Sequence, residues 1–149
     1  MINPMVMKMN NRVIVIGAGA AGTMAAGTAS DNGADVLLIE RNDKIGRKVM
    51  ITGKGRCNVT NNVSDVQEFI SNIPGNGRFL YSAFSSFNSQ DVIDFFVEAG
   101  CPLKVERGDR VFPVSDHSSD VISALKRKLA EVSVAVKLNT EVKELLITD

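Results

Sequence analysis

The segment Arg12-Val13-Ile14-Val15-Ile16-Gly17-Ala18-Gly19-Ala20-Ala21-Gly22 leaves this chain few folds to choose from. Val13 to Ile16 is β-branched throughout, the pattern of a parallel strand buried on both faces. Gly17, Gly19 and Gly22 follow at G-x-G-x-x-G spacing, small residues continue through Ala25, Ala26 and Ala29, and Asn32-Gly33 ends the helix. Val36 to Ile39 forms a second apolar strand and runs into Glu40. Gly17 permits the tight turn, Gly19 lets a pyrophosphate approach the backbone, and Gly22 lets the helix pack closely on the strands. The helix start offers unpaired N–H groups and roughly half a positive charge. Glu40 can accept from both hydroxyls of a ribose and would repel a 2′-phosphate. Strand, glycines, helix and acid occur in the order that a dinucleotide-binding turn requires, which sets aside a glycine-rich turn that binds nothing.

Composition narrows the reading further. The 149 residues carry 17 basic and 17 acidic side chains, so no global field points to nucleic acid or an anionic membrane. No apolar run approaches the roughly 18 residues of a membrane span. Residues 1 to 11 lack the apolar core of a signal peptide and are expected to form a disordered lead-in. Cys57 and Cys101 lie far apart without a C-x-x-C, which suits reduced thiols in the cytoplasm. One histidine and no ligand cluster argue against a metal site. His117 reads as an ordinary surface residue.

Arg41 to Arg56 concentrates positive charge: Arg41, Lys44, Arg47, Lys48, Lys54 and Arg56 stand against Asp43 alone. Inside it, Thr52-Gly53-Lys54-Gly55-Arg56-Cys57-Asn58-Val59-Thr60-Asn61 mixes glycines, cations and small polar side chains. Such a loop can bring N–H groups close to an anion or a polar ring. It follows the Glu40 strand, at the carboxyl ends of strands where open α/β sheets bind ligands. A P-loop is excluded, because Gly46 to Gly53 has the wrong length and Lys54 is followed by glycine. Beyond it, helices are expected over Asp65 to Ile73, Phe79 to Phe87, from an N-cap at Ser89 to Gly100, and over Asp116 to Val132, with Lys126, Arg127 and Lys128 facing out. The phenylalanine stripe of the third reads as core. Leu103 to Glu106 and Arg110 to Phe112 read as a hairpin turning through Gly108-Asp109, and Ala135 to Leu138 and Glu141 to Ile147 as further strands.

Three blocks, VIVIGAGAAG with Glu40, TGKGRCNVTN, and Glu106 to Ser115, resemble the BaiN/aminoacetone-oxidase-like family of FAD-dependent flavoproteins, from Arg12 to the end of the chain. The resemblance implies an α/β Rossmann-like FAD/NAD(P)-binding fold, three-layered around a parallel sheet and incomplete in this chain. It implies FAD as the held cofactor and NAD(P)H as a transient electron donor. Gly17, Gly19, Ala20, Ala21 and Gly22 would hold the pyrophosphate, and Glu40 and Arg41 the adenosine ribose. Lys48, Thr52, Gly53, Gly55, Arg56, Cys57 and Asn58 would border pyrophosphate and flavin, and the Val142 backbone would meet the adenine. Family members are much longer, so residues 12 to 149 are expected to be the N-terminal part of the FAD-binding domain, without substrate domain or C-terminal return. Unpaired strand edges and an uncovered apolar face would make such a piece prone to self-association.

The function expected from this is the FAD-binding part of an oxidoreductase passing hydride between flavin and a small-molecule substrate. No side chain can be assigned as a catalytic acid or base. Lys54 and Arg56 are candidates to stabilise negative charge on a reduced flavin. The alternatives are an NAD-binding dehydrogenase domain, against which the TGKGRCN loop argues, and a truncated, non-catalytic nucleotide-binding module. Nucleic acid and membrane are not expected as partners.

Overall fold

The computed structural model describes residues 11–147; the expected lead-in, apart from Asn11, lies outside them. The chain forms two compact units, one from residues 11–45 and 129–147, the other from residues 46–128.

In the first unit, β1 (Arg12–Ile16) leads through the glycine turn into α1 (Ala20–Asp31), and β2 (Asp35–Ile39) returns parallel to it. β6 (Ala135–Lys137) adds a third parallel strand, in the order β1-β2-β6. The register sets Val15, Leu38 and Val136 in one row and Ile14, Leu37 and Ala135 in the next. Side chains alternate between faces along a strand. Val36 and Leu38 are buried on one face, with Ala26 of α1 buried beside the sheet. On the other face Ile14 and Ile16 remain 55% and 54% exposed. Burial of β1 on both faces is therefore corrected: the layer that would cover Ile14 and Ile16 is not found among the described residues of this unit. The last strand is corrected too. Residues 141–147 form no strand, and Leu145, Leu146 and Ile147 are exposed. An apolar run suggests a strand, but a strand also needs a neighbour to complete its hydrogen bonds.

The second unit pairs helices with a small antiparallel sheet. A 3-10 segment (Val49–Gly55) leads to β3 (Thr60–Asn61), α2 (Val66–Ser71), a 3-10 turn (Gly77–Leu80), α3 (Tyr81–Ser86) and α4 (Ser89–Glu98). The hairpin of β4 (Leu103–Glu106) and β5 (Arg110–Pro113) follows, then α5 (Ser118–Glu131), whose last turn counts with the first unit. The sheet order is β3-β5-β4. The expected helix over Phe79 to Phe87 divides into the 3-10 turn and α3. The N-cap of α4 is Asn88 rather than Ser89: its side chain accepts from Gln90 and Asp91 N–H, and Asp91 accepts from the Asn88 N–H, a closed capping box. Phe96 of α4 is buried, in line with the core reading. Gly108 and Asp109 turn the hairpin at φ +75° and +55°. Val121, Ile122, Ala124 and Leu125 of α5 are buried, as are Val111 and Phe112 of β5. Arg127 does more than face solvent. Its Nε donates to the Ala99 carbonyl at 2.7 Å, satisfying the end of α4 with a cation. No helix of the described residues is long and apolar enough to cross a membrane.

Candidate functional site

Within the first unit, sequence and geometry converge on the turn between β1 and α1. Gly17 takes φ +97° and donates its N–H to the Ile39 carbonyl at 2.7 Å, which ties the turn to the end of β2. Side chains other than glycine rarely adopt that backbone region. Gly19 is the N-cap of α1 and makes no side-chain capping bond. α2 and α4, by contrast, are capped by Asp65 and Asn88. A Cβ on Gly19 would meet nothing within 4 Å, so open space lies where a ligand would approach. Gly22 has the opposite constraint: a Cβ there would stand 1.8 Å from the Gly17 carbonyl oxygen. The glycines thus separate into a turn, an open cap and a close approach. Ala20 and Ala21 fill the first turn of α1, where backbone N–H groups lack helical acceptors.

Glu40 is 8% exposed and joins this turn to the rest of the unit. Its Oε2 accepts from the Ala18 N–H at 2.7 Å. Its Oε1 accepts from the Asn42 N–H at 2.9 Å and from the Asn42 side-chain amide. The Asn42 N–H leads in holding the carboxyl below its ordinary range; burial opposes it, and the Ala18 N–H, the Asn42 amide and the Arg41 charge assist. A carboxylate offers about four acceptor sites, so three donors leave capacity for about one more, such as a ribose hydroxyl. Residues after β6 reach the same place: Thr140 N–H donates to the Glu40 carbonyl and Asn139 N–H to the Asn42 carbonyl, both at 2.9 Å. Arg41 is exposed, and Val142 is half-buried two residues beyond Thr140. Asn42 was not singled out from the sequence. An amide two residues past the acid is the signal that could have found it.

In the second unit, Lys48 precedes the 3-10 segment and Thr52 Oγ1 donates to the Val49 carbonyl at 2.8 Å. The loop that follows is kinked. Gly53, Lys54, Gly55 and Cys57 all have positive φ, at +55°, +58°, +85° and +62°. For Lys54 and Cys57 this costs roughly 1–2 kcal/mol each. Gly53 packs against Phe112 and the Asn58 backbone, and a Cβ there would stand 2.9 Å from the Asn58 nitrogen. Cys57 is buried, and burial pushes its thiol up, with the Thr52 hydroxyl pulling the other way. The Asn58 amide, oriented by its acceptors, donates to the Thr60 and Val111 carbonyls. Lys54 is exposed.

Arg56 is engaged by two carboxylates. Its Nη2 is paired with Glu106 Oε1, and its Nε and Nη2 lie 2.9 and 2.6 Å from Asp116 Oδ1. The guanidinium carbon stands 4.2 Å from the centre of the Phe112 ring. Lys104 shares both acids, at 2.8 Å from Asp116 and 3.5 Å from Glu106. The Arg56 hydrogen bond is the chief cause holding the Glu106 carboxyl below its ordinary range, and that of Lys104 the chief cause for Asp116. These partners lie 50 and 60 residues away, beyond the reach of local patterns. Opposite charges in the two sequence blocks were the available signal.

Glycine turn, uncapped helix and buried acid on a parallel sheet define a dinucleotide-binding Rossmann domain. The chain belongs to the HI0933-like protein Rossmann domain family, whose model matches residues 11–149, and so to the BaiN/aminoacetone-oxidase-like FAD-dependent flavoproteins. It is 32% identical over 140 residues to a 3-dehydro-bile acid delta(4,6)-reductase of Clostridium scindens, covering 93% of this chain and 33% of that protein. It is 33% identical over 129 residues to a ribosomal RNA dihydrouridine synthase of Escherichia coli, covering 87% and 31%. A flavocytochrome c3 fumarate reductase in its open conformation shares the fold with a TM-score of 0.59 and 22% identity, over 93% of this chain and 28% of that one. The chain thus spans about a third of the length of the two curated relatives. It carries the FAD-binding Rossmann domain of a flavin oxidoreductase family.

Proposed function

We propose that this chain supplies the cofactor-holding part of a flavin-dependent oxidoreductase acting on a small-molecule substrate, with NAD(P)H as transient electron donor. The observation that carries the proposal is the start of α1, where Gly19 provides neither a side-chain cap nor any neighbour in the way of a ligand. The N–H groups around Gly17, Gly19, Ala20, Ala21 and Gly22 bind the pyrophosphate of FAD. Glu40 takes a ribose hydroxyl on its remaining acceptor site and disfavours a 2′-phosphate, with Arg41 beside it. The Val142 backbone meets the adenine. Lys48, Thr52, Gly53, Gly55, Arg56, Cys57 and Asn58 form the loop that borders pyrophosphate and flavin, and the exposed Lys54 ammonium supplies positive charge there. Bound FAD supplies two-electron hydride chemistry; the protein supplies orientation and electrostatics. Two buried, free thiols support the cytoplasm as the compartment.

The experiment is to purify the protein and denature it. A flavin absorption spectrum in the released fraction is the expected result, and added FAD should raise the thermal midpoint of stripped protein. A colourless preparation stabilised by NAD and indifferent to FAD would overturn the assignment in favour of an NAD domain.

A further inference from the structure

Arg56 invites a direct role at an anionic cofactor, yet the Nε–Nη2 edge of its guanidinium and one of its faces are occupied. Its edge serves Glu106 and Asp116, and its face lies on Phe112. With Lys104 it completes a cluster of two cations and two carboxylates, in which the charges cancel. Such a cluster offers an anion little net attraction.

What the cluster holds is a strained loop. Gly53, Lys54 and Gly55 precede Arg56, and Cys57 follows it, all at positive φ. Unfavourable backbone of this kind persists only where its surroundings over-determine it. Backbone bonds hold part of it: Arg56 N–H reaches the Gly53 carbonyl at 3.3 Å and Cys57 N–H the Thr52 carbonyl at 3.1 Å, while the Asn58 amide fixes the far end on the Thr60 and Val111 carbonyls. Arg56 sits in the middle of the strain and ties it to residues far along the chain. Asp116, which like Glu106 receives both cations, is itself at φ +61°. Two strained turns are thus pinned to one another.

We propose that Arg56 is a positioning residue: with Lys104, Glu106 and Asp116 it clamps the Thr52-to-Asn58 loop in its left-handed form and thereby sets FAD affinity without touching the cofactor. The affinity half rests on the reading under Proposed function. The cluster is partly exposed, and exposed ion pairs add little to global stability. Its effect should therefore be local.

The test compares wild type with Arg56→Ala, Arg56→Lys and Asp116→Asn in the whole chain. Amide hydrogen exchange of residues 53 to 58 is measured without FAD, and FAD binding by fluorescence titration. Arg56→Ala should raise exchange in those amides at least tenfold, leave β5 protected, and weaken FAD binding at least tenfold. Asp116→Asn should shift both in the same direction by less. Arg56→Lys keeps the charge but not the planar fork, so it should resemble Arg56→Ala more than wild type. Unchanged loop exchange in Arg56→Ala overturns the clamp, whatever happens to affinity. Full affinity in Arg56→Lys overturns it in favour of a direct charge effect, and loss of protection throughout residues 46 to 128 overturns it in favour of a general structural role. Wild type that binds no FAD removes the affinity half and the cofactor reading together, whereas wild type that binds FAD beside an unmoved loop removes the clamp alone.

Discussion

Alanine at position 22 should damage this protein while alanine at position 27, in the same helix, should not. A Cβ on Gly22 would stand 1.8 Å from the Gly17 carbonyl oxygen, whereas ordinary contact begins at 3.4 Å. Helix or turn must yield by the difference, about 1.6 Å. The adjoining Ala18 N–H bonds Glu40 at 2.7 Å, and a hydrogen bond stretched that far is lost. Overpacking costs about 1–3 kcal/mol. Losing a hydrogen bond to a charged group costs about 1.5–3 kcal/mol. Alanine returns about 1 kcal/mol over glycine within a helix. The net loss is roughly 1.5–5 kcal/mol, a large part of the about 5–15 kcal/mol that holds a typical domain folded. At Gly27 the nearest neighbour of a Cβ is Leu129 Cδ2 at 4.0 Å. There the helix gain stands alone, about 0.5–1 kcal/mol. Urea denaturation followed by far-ultraviolet circular dichroism measures both variants. A Gly22→Ala midpoint equal to or above that of Gly27→Ala would refute the close-approach argument.

Two further outcomes follow from local chemistry. Because the folded Glu40 carboxyl sits below its ordinary pKa of 4.5, its stabilisation is present above the unfolded value and is lost as pH falls through the folded one. The stability gap between wild type and Glu40→Gln should therefore shrink from pH 6 to pH 3, and a constant gap in denaturant titrations would contradict the assigned hydrogen bonds. Asn88→Ala removes the α4 capping box and should cost about 1 kcal/mol in urea midpoint analysis, with Asn88→Asp retaining most of the stability.

Legibility in the sequence followed the range of each interaction. The β1-turn-α1-β2 unit rests on contacts within some thirty residues, and its glycines each carry a steric reason, so its outline is legible in the sequence alone. The α4 helix and the hairpin at Gly108-Asp109 were readable for the same reason. Pairing decided what was missed. Residues 141–147 end in the apolar run Leu145-Leu146-Ile147 that suggests a strand, but they pair with no strand among the described residues. Ile14 and Ile16 look like core, yet their exposure depends on a layer that β1 itself does not encode. The ion pairs of Arg56 were not readable, because Glu106 and Asp116 come to it from far along the chain.

The bare start of α1 has a thermodynamic consequence. α2 and α4 carry their own caps, whereas the helix after Gly19 has no side-chain cap, and under the proposed function the cofactor phosphates take that place. A ligand that binds the folded form alone adds RT ln(1 + [L]/Kd) to stability. Folding and cofactor supply are then coupled through a single turn of backbone. Under the proposed function, a cell short of flavin would hold a less stable protein, and its abundance would follow the cofactor pool.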